Sequence, residues 1–129
     1  DDVLGMATRP LLVSHTGVEG TCKGPRNLSD KHLQGIAATG GVIGIGYWAD
    51  AVCDASPAGI ARAIRGATEV VGANHVALGS DFDGSVETTF DTSELAALTQ
   101  AMLDEGLSES QIRKVAGENM LRVIRARLD

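Results

Sequence analysis

The chain has 129 residues, 43% of them hydrophobic, and a formal net charge of -6, which is one domain's worth of material with enough apolar side chains to bury an ordinary core. The acidic balance and the lack of any Lys/Arg cluster exclude the concentrated positive field that a nucleic acid or an anionic membrane surface requires. No apolar run approaches the roughly 20 residues of a membrane span, and no leader pattern opens the chain, whose start on Asp1-Asp2 reads as processing, truncation or cleavage.

In chain order, Val3, Leu4 and Met6 stand among polar neighbours and read as the end of a helix that Pro10 converts into an extended exit. Leu11-Leu12-Val13 is then an apolar strand running into Ser14-His15-Thr16-Gly17. The stretch from Thr16 to Asn27 is too long and too polar for a simple connection and reads as a functional loop. Ser29 or Asp30 caps a helix with Leu33, Ile36 and Ala37 inward, which Gly40-Gly41 ends. A second strand follows at once, up to Tyr47-Trp48, and Ala49 to Ser56 form a second long loop.

Pro57 opens a helix with Ile60, Ile64, Ala67 and Val71 on one face and Arg62, Arg65 and Glu69 on the other, stopped by Gly72. The third strand, His75 to Ser80, enters Asp81-Phe82-Asp83-Gly84. Asp91 with Glu94 predicts a capping box for a helix bearing Leu95, Leu98 and Met102 and closed by Gly106, and Ser108 with Gln111 predicts another. The last helix is expected to turn Leu121, Ile124 and Leu128 inward and Arg122, Arg125 and Arg127 outward.

Strand, long loop and helix, recurring at intervals of roughly 30 to 35 residues, is the βα unit of a parallel sheet. Three strands cannot close a barrel and leave one side of the sheet unpaired, so the chain is either a small open sheet or, as favoured here, a piece of a larger one. It reads as a single incomplete α/β domain over residues 1–129. Each strand becomes polar or aromatic where it should end, which collects chemistry at the C-terminal edge.

His15, ending the first strand, is a candidate for metal binding or acid–base work. His32 at a helix start and His75 at the opposite edge read as structural. A carboxylate ending a buried strand costs several kcal/mol unless it meets a cation or exchanges a proton, which singles out Asp81; Asp83 suits a turn. A calcium-loop reading of this stretch fails, because glycine falls too early and the twelfth position is Thr92. Arg26, behind Gly24-Pro25, is either a solvated loop arginine or a clamp for a carboxylate through paired hydrogen bonds. Gly44-Ile45-Gly46-Tyr47-Trp48-Ala49 fits G-x-G-x-x-A, but the glycines lie inside the apolar run and no helix starts there, so a small Rossmann-like nucleotide-binding module stands only as an alternative function. Cys22 and Cys53 form no Cys-x-x-Cys motif, and alone they read as two small buried residues.

Five stretches, Ser14-His15-Thr16-Gly17, Pro25-Arg26-Asn27-Leu28-Ser29-Asp30, Gly40-Gly41-Val42-Ile43-Gly44, Gly79-Ser80-Asp81-Phe82-Asp83-Gly84 and Gly117-Glu118-Asn119-Met120-Leu121-Arg122-Val123, resemble in order and spacing the C-terminal part of the membrane (renal) dipeptidase family. The resemblance runs over essentially the whole chain. It implies the C-terminal part of an amidohydrolase-like (β/α)8 TIM-type barrel, strands six to eight plus the C-terminal helices, and a parent protein that hydrolyses dipeptides with two zinc ions. It further implies that His15 ligates one zinc, that Arg26 holds the dipeptide's terminal carboxylate, and that Asp81 is the catalytic aspartate. The family's remaining metal ligands correspond to positions before Asp1, so the expected partners are a dipeptide and the missing N-terminal part of the barrel, and the chain alone is expected to be inactive. Cys22 and Cys53 match positions that pair in the animal enzymes; adjacency is expected, as a disulfide or as neighbouring thiols. A cytoplasmic location is expected, a homodimer is left open, and a non-catalytic relative of the same barrel is the other alternative.

Overall fold

The computed structural model describes residues 1–128, whose centre is a parallel sheet of β1 (Leu12–Thr16), β2 (Val42–Ile45) and β3 (Val76–Leu78) in the order β1-β2-β3. All four residues of β2 are buried, as an unbroken apolar strand covered on both faces must be. On one face, Ile43, Ile45 and Val76 join Leu33 and Ile36 of α2 (Asp30–Ala38) and Ile60, Ile64 and Ala67 of α4 (Pro57–Val71). On the other, Val42 and Ala77 meet Val123 of a later helix. The alternation of Val42 against Ile43 and of Val76 against Ala77 is the two-residue period of a strand, now sorted between two layers. Each fully buried Ile or Leu contributes about 1.5–3 kcal/mol.

The helices begin and end where their caps dictate. Ser56 accepts from the Gly59 N–H, Pro57 occupies the first turn of α4, and Gly72 closes it at a φ of 80°. Ser108 and Gln111 form both bonds of the capping box that starts α6 (Glu109–Arg113). Four local expectations change. Ser29 flanks α2 without a side-chain capping bond, because its hydroxyl is engaged with His32 Nδ1 at 2.9 Å. Asp91 caps a 3₁₀ turn, Thr92–Glu94, so α5 (Leu95–Asp104) starts after Glu94 instead of using it as a box partner. The loop after β2 contains a one-turn helix, α3 (Ala49–Val52), and His75 closes a 3₁₀ turn with Nδ1 2.8 Å from the Gly41 carbonyl.

The last helix corrects the sequence reading most. From α6 the chain passes through Lys114–Glu118, kinked at Gly117, into α7 (Asn119–Leu128). Leu121, Ile124 and Leu128, expected inward, are 53%, 44% and 82% exposed, while Asn119 and Val123 face the sheet. Arg122, Arg125 and Arg127 are exposed as expected, with Arg122 also donating to the carbonyls of Gly40 and Asn74 and Arg127 to that of Pro10. Asn119 decides the rotation: its buried amide donates to Ala73 O at 2.6 Å and Val76 O at 2.9 Å. With Asn119 turned inward to meet these carbonyls, the apolar stripe turns away. No described helix is long and apolar enough to cross a membrane.

Asn119→Ala removes one donor group and leaves the buried Val76 carbonyl and the partly buried Ala73 carbonyl without it, and should cost about 1–3 kcal/mol. Denaturant unfolding checks it: the midpoint should fall with an unchanged slope, and an unmoved midpoint would mean that Val123 alone seats α7.

Candidate functional site

The site is built on an irregularity in β1. Leu12 pairs with Val42 and Val13 with Ile43, but the next pair is Thr16 with Ile45: three steps on β1 against two on β2. This is a β-bulge at Ser14-His15, a device that re-aims a side chain next to a functional centre. The bulge swings the Ser14 carbonyl over the sheet, where a Cβ on either Gly44 of β2 or Gly79 after β3 would run into it. His15 emerges half-buried, with Nδ1 2.9 Å from its neighbour's Ser14 Oγ and Nε2 turned toward Asp81 Oδ2 at 4.0 Å.

Asp81 reaches this place through an unusual backbone. Its φ is +59°, in the left-handed region, a conformation that costs a non-glycine residue about 1–2 kcal/mol. The Gly84 N–H donates to the Asp81 carbonyl at 2.9 Å, and the carboxylate lies where a side chain on residue 84 would sit. Asp83 is exposed in the turn.

The loop after β1 brings Arg26. Thr16 Oγ1 donates to the Arg26 carbonyl at 3.1 Å, and the limbs of the loop are tied by Glu19 N–H to Leu28 O and Leu28 N–H to Gly17 O, both 3.0 Å. Asn27, 7% exposed, donates to Cys22 O at 2.6 Å within its own loop and to Ala51 O at 2.9 Å in the loop after β2. Cys22 and Cys53 are joined by a disulfide with Cα atoms 5.5 Å apart. Closing a segment of sequence separation 31 stabilises by roughly 3–4 kcal/mol on the chain-entropy account. The two loops therefore form one stapled wall. The Arg26 guanidinium lies 5.7 Å over the Trp48 ring, whose centroid is 5.8 Å from that of His15.

These elements enclose a cleft of about 450 Å³ lined by His15, Lys23, Arg26, Trp48 and Asp50 at the C-terminal ends of the strands. His15, Arg26 and the cysteine pair line it, and Asp81 adjoins it through His15. Asn27 and Trp48 are the functional-site residues that sequence reasoning passed over, although a polar residue after Pro-Arg and the chain's one tryptophan at a strand end were visible signals. Tyr47 stacks on Phe90 and meets Phe82 edge-on; burial pushes its phenol up from the ordinary value, so it stays protonated at neutral pH and is no base. The nucleotide-binding alternative finds no support: Gly44 and Gly46 are spaces for the Ser14 carbonyl and the Trp48 ring, not for a phosphate.

An imidazole and a carboxylate facing each other suit one edge of a catalytic metal centre, which takes about three protein ligands. Among the described residues no group of three or more His, Cys, Asp and Glu side chains converges. His15 and Asp81 alone fall short of that number.

The sequence profile of the membrane dipeptidase family (Peptidase family M19) matches residues 1–128. The protein named dipeptidase ataJ of Aspergillus terreus is 31% identical over 132 residues, covering 96% of this chain and 32% of its own length. A protein encoded beside pqqA in Klebsiella pneumoniae, without an assigned function, is 33% identical, covering 96% of this chain and 49% of its own length. The crystal structure of a Rhodobacter sphaeroides metallo peptidase, liganded with a phosphinate mimic of the dipeptide L-Ala-D-Ala, superposes with a TM-score of 0.88 at 27% identity, covering 98% of this chain and 38% of that one. The chain thus spans about a third to a half of the length of these curated relatives.

The bulge makes a directional prediction. Gly44→Ala should destabilise by about 1–3 kcal/mol, since the added methyl must displace the Ser14 carbonyl. Gly5→Ala, on a helix and with open space around the added carbon, should be neutral or stabilise by up to about 1 kcal/mol. Thermal melts of the two variants check the signs, and equal effects would remove the constraint assigned to Gly44.

Proposed function

We propose, because this chain belongs to the membrane dipeptidase family, that the whole protein is a metal-dependent dipeptidase and that this chain carries its substrate-carboxylate clamp, its proton-transfer carboxylate and one metal ligand. The observation that carries the reading is the convergence of His15 and Asp81, 4.0 Å apart, beside a cleft that also holds Arg26. The dipeptide mimic in the Rhodobacter sphaeroides relative supports the substrate class.

The fold of the whole is proposed to be a (β/α)8 barrel of TIM type, with β1, β2 and β3 as strands six to eight. Supporting this, the sheet ends on β1 and β3 with no further partner strand among the described residues. Leu12 on β1 and Val3 and Met6 on α1 (Asp2–Met6) are exposed apolar side chains that further polypeptide would cover.

In this reading His15 would hold one of two zinc ions, with the remaining donors supplied by the preceding part of the barrel. A bound metal of this kind lowers the pKa of a water and polarises a carbonyl. The chain's own residues do the rest. Arg26 pairs its guanidinium with the terminal carboxylate of the dipeptide, which fixes the scissile bond in the cleft. Asp81 takes the proton that the attacking water loses as its oxygen bonds to the carbonyl carbon, and returns it to the amine as the C–N bond breaks. Ser14 Oγ, on Nδ1, holds the ring of His15 in its orientation. The bonded Cys22–Cys53 pair favours an oxidising compartment over the cytoplasm expected from sequence, where the same residues would stand as neighbouring thiols.

The intact protein should hydrolyse simple unmodified dipeptides, lose the activity on dialysis against a chelator and regain it with zinc. Asp81→Asn should lower kcat by roughly 10²- to 10⁴-fold with little change in KM and in bound metal, whereas Arg26→Ala should chiefly raise KM. Amine release and metal content are the readouts. An intact protein that holds zinc but splits no dipeptide would make it a non-catalytic relative, and metal lost with Asp81→Asn would make Asp81 a ligand.

A further inference from the structure

Trp48 is the residue through which the parts of the cleft touch. It ends the apolar run of β2, is 6% exposed, and presents its ring to the Arg26 guanidinium at 5.7 Å and to His15 at 5.8 Å. Its own placement is determined two residues earlier. A Cβ on Gly46 would run into the Trp48 ring, so the glycine lets the indole lie against the strand, and the Gly44-x-Gly46 spacing that mimics a phosphate-binding motif is explained by packing. Arg26 itself is exposed on a loop. Its backbone carbonyl is anchored by Thr16, and no described carboxylate lies within ion-pair distance of its guanidinium. A long side chain in that position loses rotamer freedom when it binds, and the face of an aromatic ring is the one group here that restrains it without neutralising it. An acidic partner would hold the arginine equally well and compete with the substrate's carboxylate.

Resting on the dipeptidase reading above, we propose that Trp48 is a positioning residue: seated on Gly46, its indole pre-orients the Arg26 guanidinium for the substrate's terminal carboxylate, and so sets substrate affinity. The interaction is a cation–π contact that leaves all five guanidinium N–H groups available for a bidentate pair. It acts before the chemical step and equally on ground and transition states, so its loss belongs in KM.

The test uses the intact enzyme. Trp48→Ala should raise KM for an unmodified dipeptide about tenfold with kcat within about threefold of wild type, and Trp48→Tyr, which keeps an aromatic face, should recover most of the loss. Gly46→Ala, which displaces the ring without removing it, should raise KM in the same direction. In an Arg26→Ala background, Trp48→Ala should add nothing further, because the group it orients is gone. Circular dichroism and melting curves of each variant separate this from unfolding, which Trp48→Tyr would in any case survive. The proposal is overturned if Trp48→Ala lowers kcat at unchanged KM, if Tyr fails to rescue a folded protein, or if the Trp48 and Arg26 effects multiply independently. A wild-type enzyme that splits no dipeptide overturns the functional reading itself and this inference with it, an outcome distinct from an active enzyme whose Trp48 variants behave otherwise.

Discussion

The Ser14 carbonyl, seated over Gly44 of β2 and Gly79 just after β3, is the constraint on which the site depends. A parallel ladder in even register would continue β1 past Val13 one residue for one and pair His15, not Thr16, with Ile45. The extra residue of the bulge prevents this, but it needs somewhere to put a peptide unit. Gly44 and Gly79 provide that space by having no side chain. The cost is packing given up in the middle of a sheet, where glycine also weakens the strand. What is obtained is an imidazole at the mouth of the sheet, with one nitrogen held by Ser14 and the other facing Asp81. Asp81 shows the same exchange, since its left-handed backbone is a local strain of the kind that persists where surrounding structure over-determines it.

Around this rigid edge the loops are held by few, strong and unlike contacts. Asn27 joins two loops through one amide, the disulfide joins them covalently, and the single aromatic ring of Trp48 separates Arg26 from His15. Loops carry binding groups because they are free to vary, and they bind well only when their freedom has been removed in advance. The division of labour is physical: apolar burial under α2 and α4 fixes the sheet, while a buried amide and a covalent bond fix the chain that hangs from its end. The other end of the sheet is closed by Asn119, which anchors the last helix to the turn before β3 in the same way.

The arrangement of secondary structure was legible because it depends on short-range rules. Apolar runs ending in Gly, Pro57 at a helix start, and Ser108 with Gln111 each act within a few residues, and the parallel order of three strands follows from the helices between them. His15 and Asp81 stood out in the sequence for a related reason, that a polar group at the end of an apolar strand is costly to bury without a partner, and the fold brings the two within 4.0 Å. The face of α7 was not legible, since Leu121, Ile124 and Leu128 make as regular a stripe as any buried one, and only the hydrogen-bond demand of Ala73 and Val76 shows that Asn119 must face inward.

By itself, then, the sequence determined the α/β order of the chain, the edge at which its chemistry collects, and a family resemblance strong enough to name Arg26 and Asp81. These are properties of periodicity and of residue types at fixed spacing, and they survive without knowing what touches what. Tertiary structure alone decided the bulge that aims His15, the pairing of Asn27 with carbonyls in two loops, and the seat of Trp48 on Gly46. Each of these requires one segment to leave room for, or satisfy, a group far away in the chain, and no local pattern records which distant neighbour will arrive.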